Sequence, residues 1–280
     1  MMIERNVYVM RVLVSVLLGC RRALLRRRIC DHLACSIGLD CSSPHSVRIN
    51  DGPPAPQFSY NRQMTRDHAE PICPLCRNSD AMLFDRDHRE YFRCSKCHLV
   101  FVPPHHFLSP DEERAAYDRH ENSAEDLAYR RFLGRLFEPV SERLAPHSQG
   151  LDFGSGPGPT LSVMFEEAGH SMKLYDPFYA PELKPLQQEY DFITASEVVE
   201  HLHHPRRELD RLWACVEPNG LLGIMTKRVI DQKAFSRWHY KHDPTHVSFF
   251  SIETFRWLAD VWQATLSVFG TDVVLFTKRR

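Results

Sequence analysis

The second half of this chain predicts an α/β fold, a doubly wound and mostly parallel sheet whose last strand runs antiparallel. Three observations predict it. From Gly150 onward short apolar runs alternate with stretches of helical period, the pattern of βα units that stack a parallel sheet between helices. A turn rich in glycine joins the first of those strands to the first helix, where a backbone free of side chains lets a ligand approach. Gly270-Thr271 leaves so little chain between the last two apolar runs that they can only form a hairpin, hence an antiparallel pair.

In order, residues 150–153 read as a strand, 160–168 as a helix and 171–175 as a second strand. Residues 191–196 follow as a third strand, 205–216 as a helix, 220–226 as a fourth strand and 252–261 as a helix. The hairpin 265–270 and 272–278 ends the pattern. Upstream, Ser109-Pro110-Asp111-Glu112 has an N-cap, a proline at the first helical position and acids in the first turn. Leu127, Phe132, Leu136, Val140 and Leu144 then recur at helical spacing through 127–144.

The chain has 280 residues and a net charge of −1 that hides a partition. Residues 1–66 carry ten arginines against Glu4, Asp31, Asp40 and Asp51, so the remainder is acidic. An acidic body lacks the basic footprint of a binder of long nucleic acids and favours a small-molecule substrate over RNA. The apolar run 12–19 is too short to span a bilayer, so no membrane span is expected. Residues 1–66 show no period through 42–63 and read as a disordered extension, with Met64 an alternative start.

Four of the nine cysteines form Cys73-Pro-Leu-Cys76 and Cys94-Ser-Lys-Cys97, with 17 residues between the pairs. That spacing suits a zinc ribbon in which Cys73, Cys76, Cys94 and Cys97 fill a tetrahedron and strands 90–93 and 99–102 complete the unit. Four thiolates leave no open position, so the expected role is structural; free thiolates also point to a reducing, cytoplasmic setting. The organisation expected is therefore an extension (1–66), a zinc ribbon (67–104), a helical connector (105–145) and a catalytic α/β domain (146–280).

The turn itself reads Leu151-Asp152-Phe153-Gly154-Ser155-Gly156-Pro157-Gly158, and Asp176 ends the next strand 20 residues after Gly156. With the block from Tyr190 to Leu202 and the final hairpin, these residues resemble the Rossmann-like class I methyltransferases that use S-adenosylmethionine (SAM). The resemblance implies that Gly154, Ser155, Gly156 and Gly158 line the methionine and ribose of the cofactor, with Asp152 beneath the loop or near the cofactor's amino group. It implies that Asp176 binds the ribose hydroxyls and that Ser196 and Glu197 stand at the end of the fourth-strand motif. Only 14 residues separate Asp176 from Asp191, too few for the usual helix, strand and helix, so the family's third strand is expected to be missing. This trimming is similar to a branch near the quinone-biosynthesis O-methyltransferases.

The segment 239–247 carries His239, His242 and His246 and lies after the fourth strand, on the side where such sheets bind ligands. His246 and His242 are candidates for a proton-accepting base, against the alternative of a packed Asp-Pro turn. Two other functions stay open: an NAD-dependent oxidoreductase, since an acid after the second strand also binds the NAD ribose, and a non-catalytic zinc-ribbon adaptor.

Overall fold

A computed structural model describes residues 71–119 and 122–280, so the expectation for residues 1–66 lies outside the described residues. The larger of two sheets has the order β5-β4-β6-β7-β10-β9. Strands β4 (Gln149–Phe153), β5 (Ser171–Tyr175), β6 (Tyr190–Ser196) and β7 (Val216–Met225) pair in parallel. Strand β10 (Val273–Thr277) lies antiparallel between β7 and β9 (Thr265–Phe269). The doubly wound sheet with an antiparallel last strand is therefore the observed architecture.

Alternation along the strands sends side chains to two separate cores. On one face Leu221, Met225, Val273 and Leu275 pack against helices α2 (Leu127–Ser141) and α3 (Thr160–Glu167) through Leu133, Leu136, Val140, Leu161 and Phe165. On the other, Leu222, Ile224, Val274 and Phe276 meet α4 (Pro205–Ala214) and α6 (Ile252–Trp262) through Leu209, Leu212, Phe255 and Leu258, the short α5 (Gln232–Ser236) coming between those helices in the chain. The helix expected to continue to residue 216 stops at Ala214, because Val216 pairs with Tyr190 and begins a ten-residue strand. Between β5 and β6 the chain forms a single 3₁₀ turn, Lys184–Gln187, and no strand, so β5 is the edge of the sheet.

Helix α1 (Pro110–Tyr117) starts at a full capping box: Ser109 Oγ accepts from the Glu112 N–H, and the Glu112 carboxylate accepts from the Ser109 N–H at 2.9 Å. The cysteine unit supplies β1 (Ala81–Arg86), β2 (Glu90–Cys94) and β3 (Val100–Phe101) of a second, antiparallel sheet. Its fourth strand is β8 (Ser248–Phe249), which comes from beyond β7 and pairs with β3. The described residues all belong to one compact unit, Met64–Arg280. Among them no helix is long and apolar enough to cross a membrane.

Leu136 is fully buried between α2 and the sheet. Replacing it with Ala should cost about 2–5 kcal/mol, the usual range for a large-to-small change in a packed core, read as a fall in denaturant midpoint at unchanged slope.

Candidate active site and the four-cysteine cluster

A cavity of about 870 Å³ opens at the C-terminal ends of β4, β5 and β6. The glycine turn forms one wall. Gly154 (φ 74°) and Gly156 (φ 63°) adopt the left-handed conformation that glycine enters without strain. A Cβ at Gly154 would meet Val198 at 2.5 Å and one at Gly158 would strike the Asn122 carbonyl, whereas at Gly156 nothing lies within 4 Å. Gly156 thus leaves space on the cavity side, and the other two allow close packing behind it.

Asp176 is buried at the rim and shapes the turn: Oδ2 accepts from the Gly156 N–H at 3.0 Å, and Oδ1 from the N–H groups of Phe178 (2.8 Å) and Tyr179 (3.0 Å). Asp152 sits beneath the loop and does not line the cavity; its carboxylate accepts from Thr194 Oγ1 and Ser162 Oγ, both at 3.0 Å. Burial pushes its pKa up to about 6 despite those two donors. Gly154, Ser155, Gly156, Asp176, Ser196 and Glu197 line the cavity; Gly158 does not. The buried Ser155 Oγ, Ser196 Oγ and Glu197 Oε1 find no hydrogen-bond partner among the described residues. Buried polar atoms are rarely left so, and these suit a polar ligand in the cavity.

The far wall is the 239–247 segment. The structure brings His246 to the cavity and turns His242 outward, its side chain 58% exposed beside Asp87. His246 Nδ1 lies 2.7 Å from the Tyr240 carbonyl oxygen, which can only accept, so Nδ1 carries the proton and Nε2 the lone pair. Burial holds its pKa below the usual 6.5, with Asp243 opposing. Beside it stand His201, ring centroids 4.7 Å apart, and Glu200, whose carboxyl burial and the charge of Glu197 push up to about 8. The Tyr240 hydroxyl donates to Glu200 Oε1. Residue types alone did not reveal this grouping, because the 3₁₀ turn Val199–His201 and the 239–247 segment meet only through the fold.

The segment is held from the cysteine unit. Arg89, 5% exposed, donates from Nη1 to the Pro244 carbonyl (3.0 Å) and from Nη2 to those of Asp243 (3.0 Å) and Lys241. The Tyr91 hydroxyl donates to the same Lys241 carbonyl at 3.1 Å. Lys241, 1% exposed, sends Nζ back to Asp85 and to Asp87 (2.7 Å). Val247 bridges the two sides, its N–H donating to the Glu200 carbonyl and its own carbonyl accepting from the Val102 N–H.

Cys73, Cys76, Cys94 and Cys97 converge so that their sulfurs lie within 4.8 Å of one another, with Cys73–Cys97 at 3.5 Å and Cys76–Cys94 at 3.4 Å. Sulfurs about 2.3 Å from a tetrahedral zinc stand roughly 3.8 Å apart, so the cluster fits that ion. The two CxxC turns are near copies. In each, the first cysteine N–H donates five residues ahead, to the carbonyls of Asn78 and Leu99. In each, the residue after the second cysteine, Arg77 or His98, has φ near 60° and donates its N–H back to the first cysteine's carbonyl. Lys96 N–H also points at Cys94 Sγ (3.4 Å).

Arg89→Ala would strip a buried donor from three carbonyls. The expected result is a loss of more than about 2 kcal/mol, since each unsatisfied buried group costs about 1–3 kcal/mol, with faster amide hydrogen exchange confined first to residues 239–249. An unchanged exchange pattern would show that the segment holds itself.

A family described as a methyltransferase domain matches residues 123–264. No curated protein matches the chain. Among solved structures, 1,6-didemethyltoxoflavin-N1-methyltransferase of Burkholderia thailandensis is 16% identical, with a TM-score of 0.42 over 72% of this chain and 100% of that one. Magnesium protoporphyrin IX methyltransferase of Synechocystis PCC 6803 is 11% identical, with a TM-score of 0.40 over 60% of this chain and 93% of that one. The family match spans half of the sequence and takes in the glycine turn, Asp176 and the Glu197–His201 block, and on it the chain belongs to the methyltransferase-domain family.

Proposed function

We propose that the chain is a SAM-dependent methyltransferase acting on a small-molecule acceptor. The observation that carries this reading is the glycine turn beside Asp176, facing a cavity where the buried Ser155 Oγ, Ser196 Oγ and Glu197 Oε1 find no hydrogen-bond partner among the described residues. SAM brings a methyl group on a sulfonium, ready for in-line displacement. Asp176, held by three N–H groups, keeps further lone pairs for a pair of ribose hydroxyls. Gly154, Ser155 and Gly156 give the backbone surface against which the cofactor lies, and Gly158, outside the cavity, lets the turn pack closely on Asn122. Asp152 supports that surface from below, and Ser196 and Glu197 offer polar atoms at its inner end.

His246, rather than the outward His242, is assigned to the acceptor side. Its neutral imidazole, with Nε2 carrying the lone pair, can take a proton from a hydroxyl or amine as the nucleophile attacks. The acidic body favours a small acceptor over RNA. We assign zinc to Cys73, Cys76, Cys94 and Cys97, where a closed four-thiolate site stabilises the ribbon and, through Arg89 and β8, the 239–247 segment.

Calorimetry should detect SAM binding and no NAD binding, and labelled SAM should yield S-adenosylhomocysteine with a metabolite extract. Asp176→Ala, or Gly156→Val, which fills the space beside the turn, should weaken SAM binding at least tenfold while the melting transition stays cooperative. Unchanged affinity in both would remove the cofactor from this wall, and NAD binding would transfer the reading to an oxidoreductase.

His246→Ala should lower turnover by about 10²–10⁴-fold with SAM affinity almost unchanged. Because the folded protein lowers this pKa, wild-type turnover should stay high down to pH 6.5 and fall only below it, as the imidazole takes a proton. The variant should lose that acidic limb.

Purified protein should contain about one zinc per chain. Cys94→Ser, or a strong chelator, should remove it and loosen residues 71–104 and 239–249 together. Zinc-free protein with native exchange protection in both segments would make the metal dispensable.

A further inference from the structure

Charge is spread unevenly along the cavity. Among the described residues, the lysines and arginines that line it are Arg207 and Arg211, both on α4 beside Tyr175, and Glu208 pairs with each (2.7 and 3.3 Å). The end around His246 is lined by carboxylates instead. Glu113 of α1 pairs there with His203. Asp243 Oδ1 accepts from the N–H (2.9 Å) and the hydroxyl (2.6 Å) of Thr245, which leaves Oδ2, 4.0 Å from His246 Nε2. Burial opposes the charge of Asp243, but the Thr245 donors and His246 hold its pKa below the usual carboxylate value, so it stays ionised. Arg89 and Lys227, whose charges reach His246, lie outside the cavity lining. Oδ2 and Nε2 are too far apart to bond each other. Two hydrogen bonds of about 2.8 Å from one tetrahedral nitrogen span roughly 4.5 Å, so a single nitrogen can serve both.

Methyl transfer from a sulfonium carries positive charge to the nucleophile. An attacking amine becomes an ammonium, and a fixed carboxylate beside it stabilises that charge as it develops. A hydroxyl must instead approach an alkoxide, which the same carboxylate opposes. Tyr117 and Phe178 line the cavity with ring centroids 5.6 Å apart, and aromatic faces favour a cation as well. Burial, then the charges of Glu113 and Asp243, push the Tyr117 phenol upward, so both carboxylates act on that wall. We propose that Asp243 selects the acceptor: a small amine, methylated on nitrogen, whose ammonium is held by Asp243 Oδ2 and gives its proton to His246 Nε2. The neutral nitrogen then attacks the sulfonium methyl. An N–C bond forms as the C–S bond breaks, and the bonding pair stays on sulfur. The products are a methylammonium and S-adenosylhomocysteine, and His246 releases its proton to solvent. The choice of nitrogen rests on the methyltransferase reading; the preference of this end for a cation does not.

The test uses the zinc-loaded full chain saturated with S-adenosylhomocysteine, which has lost the sulfonium charge. The probes are phenethylamine, 2-phenylethanol and 3-phenylpropanoate, which share a ring and differ at one end. Calorimetry should rank the amine at least tenfold tighter than the alcohol, with the acid weakest. Asp243→Asn keeps the shape and the Thr245 contacts; it should weaken phenethylamine at least tenfold and leave 2-phenylethanol within twofold. Unchanged zinc content and S-adenosylhomocysteine affinity certify the fold of the variant, and if it misfolds the wild-type ranking still decides. With trideuteromethyl-SAM and a metabolite extract, mass spectrometry should find the label on a nitrogen. An amine bound no tighter than the alcohol, an Asp243→Asn chain that binds it as before, or label on oxygen or carbon would overturn the proposal. Titrations repeated without S-adenosylhomocysteine separate the two readings. A chain that binds no SAM yet ranks the amine first loses the methyltransferase reading and keeps the cation preference.

Discussion

Three carbonyl oxygens of a chain reversal, those of Lys241, Asp243 and Pro244, point at one buried guanidinium, and much of the molecule follows from that arrangement. Carbonyls cannot be left bare in a dry interior, and no helix or strand of the 239–247 segment supplies the donors. Arg89 supplies them from the turn between β1 and β2 of the other sheet, while Lys241 returns its own charge to Asp85 and Asp87. The exchange is mutual, since each segment neutralises what the other buries. Around it Tyr91, Phe235, Tyr240 and Phe249 pack as an aromatic cluster that excludes water. The cysteine unit thus holds in place a wall of the cavity that it does not itself line.

This coupling explains what the sequence disclosed and what it withheld. The larger sheet was legible because its evidence is local. Strands β5 and β6 and helices α3 and α6 begin within a residue of where their apolar period begins, and the Gly270 turn could join its strands in one way only. Strand β7 was misjudged at its start. Glu217-Pro218-Asn219, with Asn219 at φ 66°, looks like a loop and hid the pairing of Val216 with Tyr190. Strand β8 has two residues and no period at all; only β3 across the fold makes it a strand.

The site divides in the same way. Gly154, Gly156 and Asp176 were readable because glycines at a strand-to-helix turn and an acid at the next strand's end are constraints of backbone geometry. For Asp152 the family resemblance left two places open, beneath the loop or near the cofactor's amino group; its carboxylate lies beneath the loop, bonded to Thr194 and Ser162. The grouping of His201 and Glu200 with His246 was not legible, since nothing in their neighbourhood announces a residue 45 positions on. Nothing in the sequence marks Arg89 and Lys241 as buried, because burial of a charge is a property of packing and leaves no mark on the residues either side.

The short path between β5 and β6 has an effect on the outside of the molecule. Among the described residues no further strand lies beside β5, so it presents an edge row of backbone N–H and C=O groups, as β9 does at the opposite end of the sheet. Such rows are templates on which another chain can add a strand. Both edges are only five residues long, and exposed Lys173 stands in the middle of the first. A chain that omits a strand must guard the border it uncovers, and brevity and a lysine's charge both make this border a poor template for a neighbouring sheet.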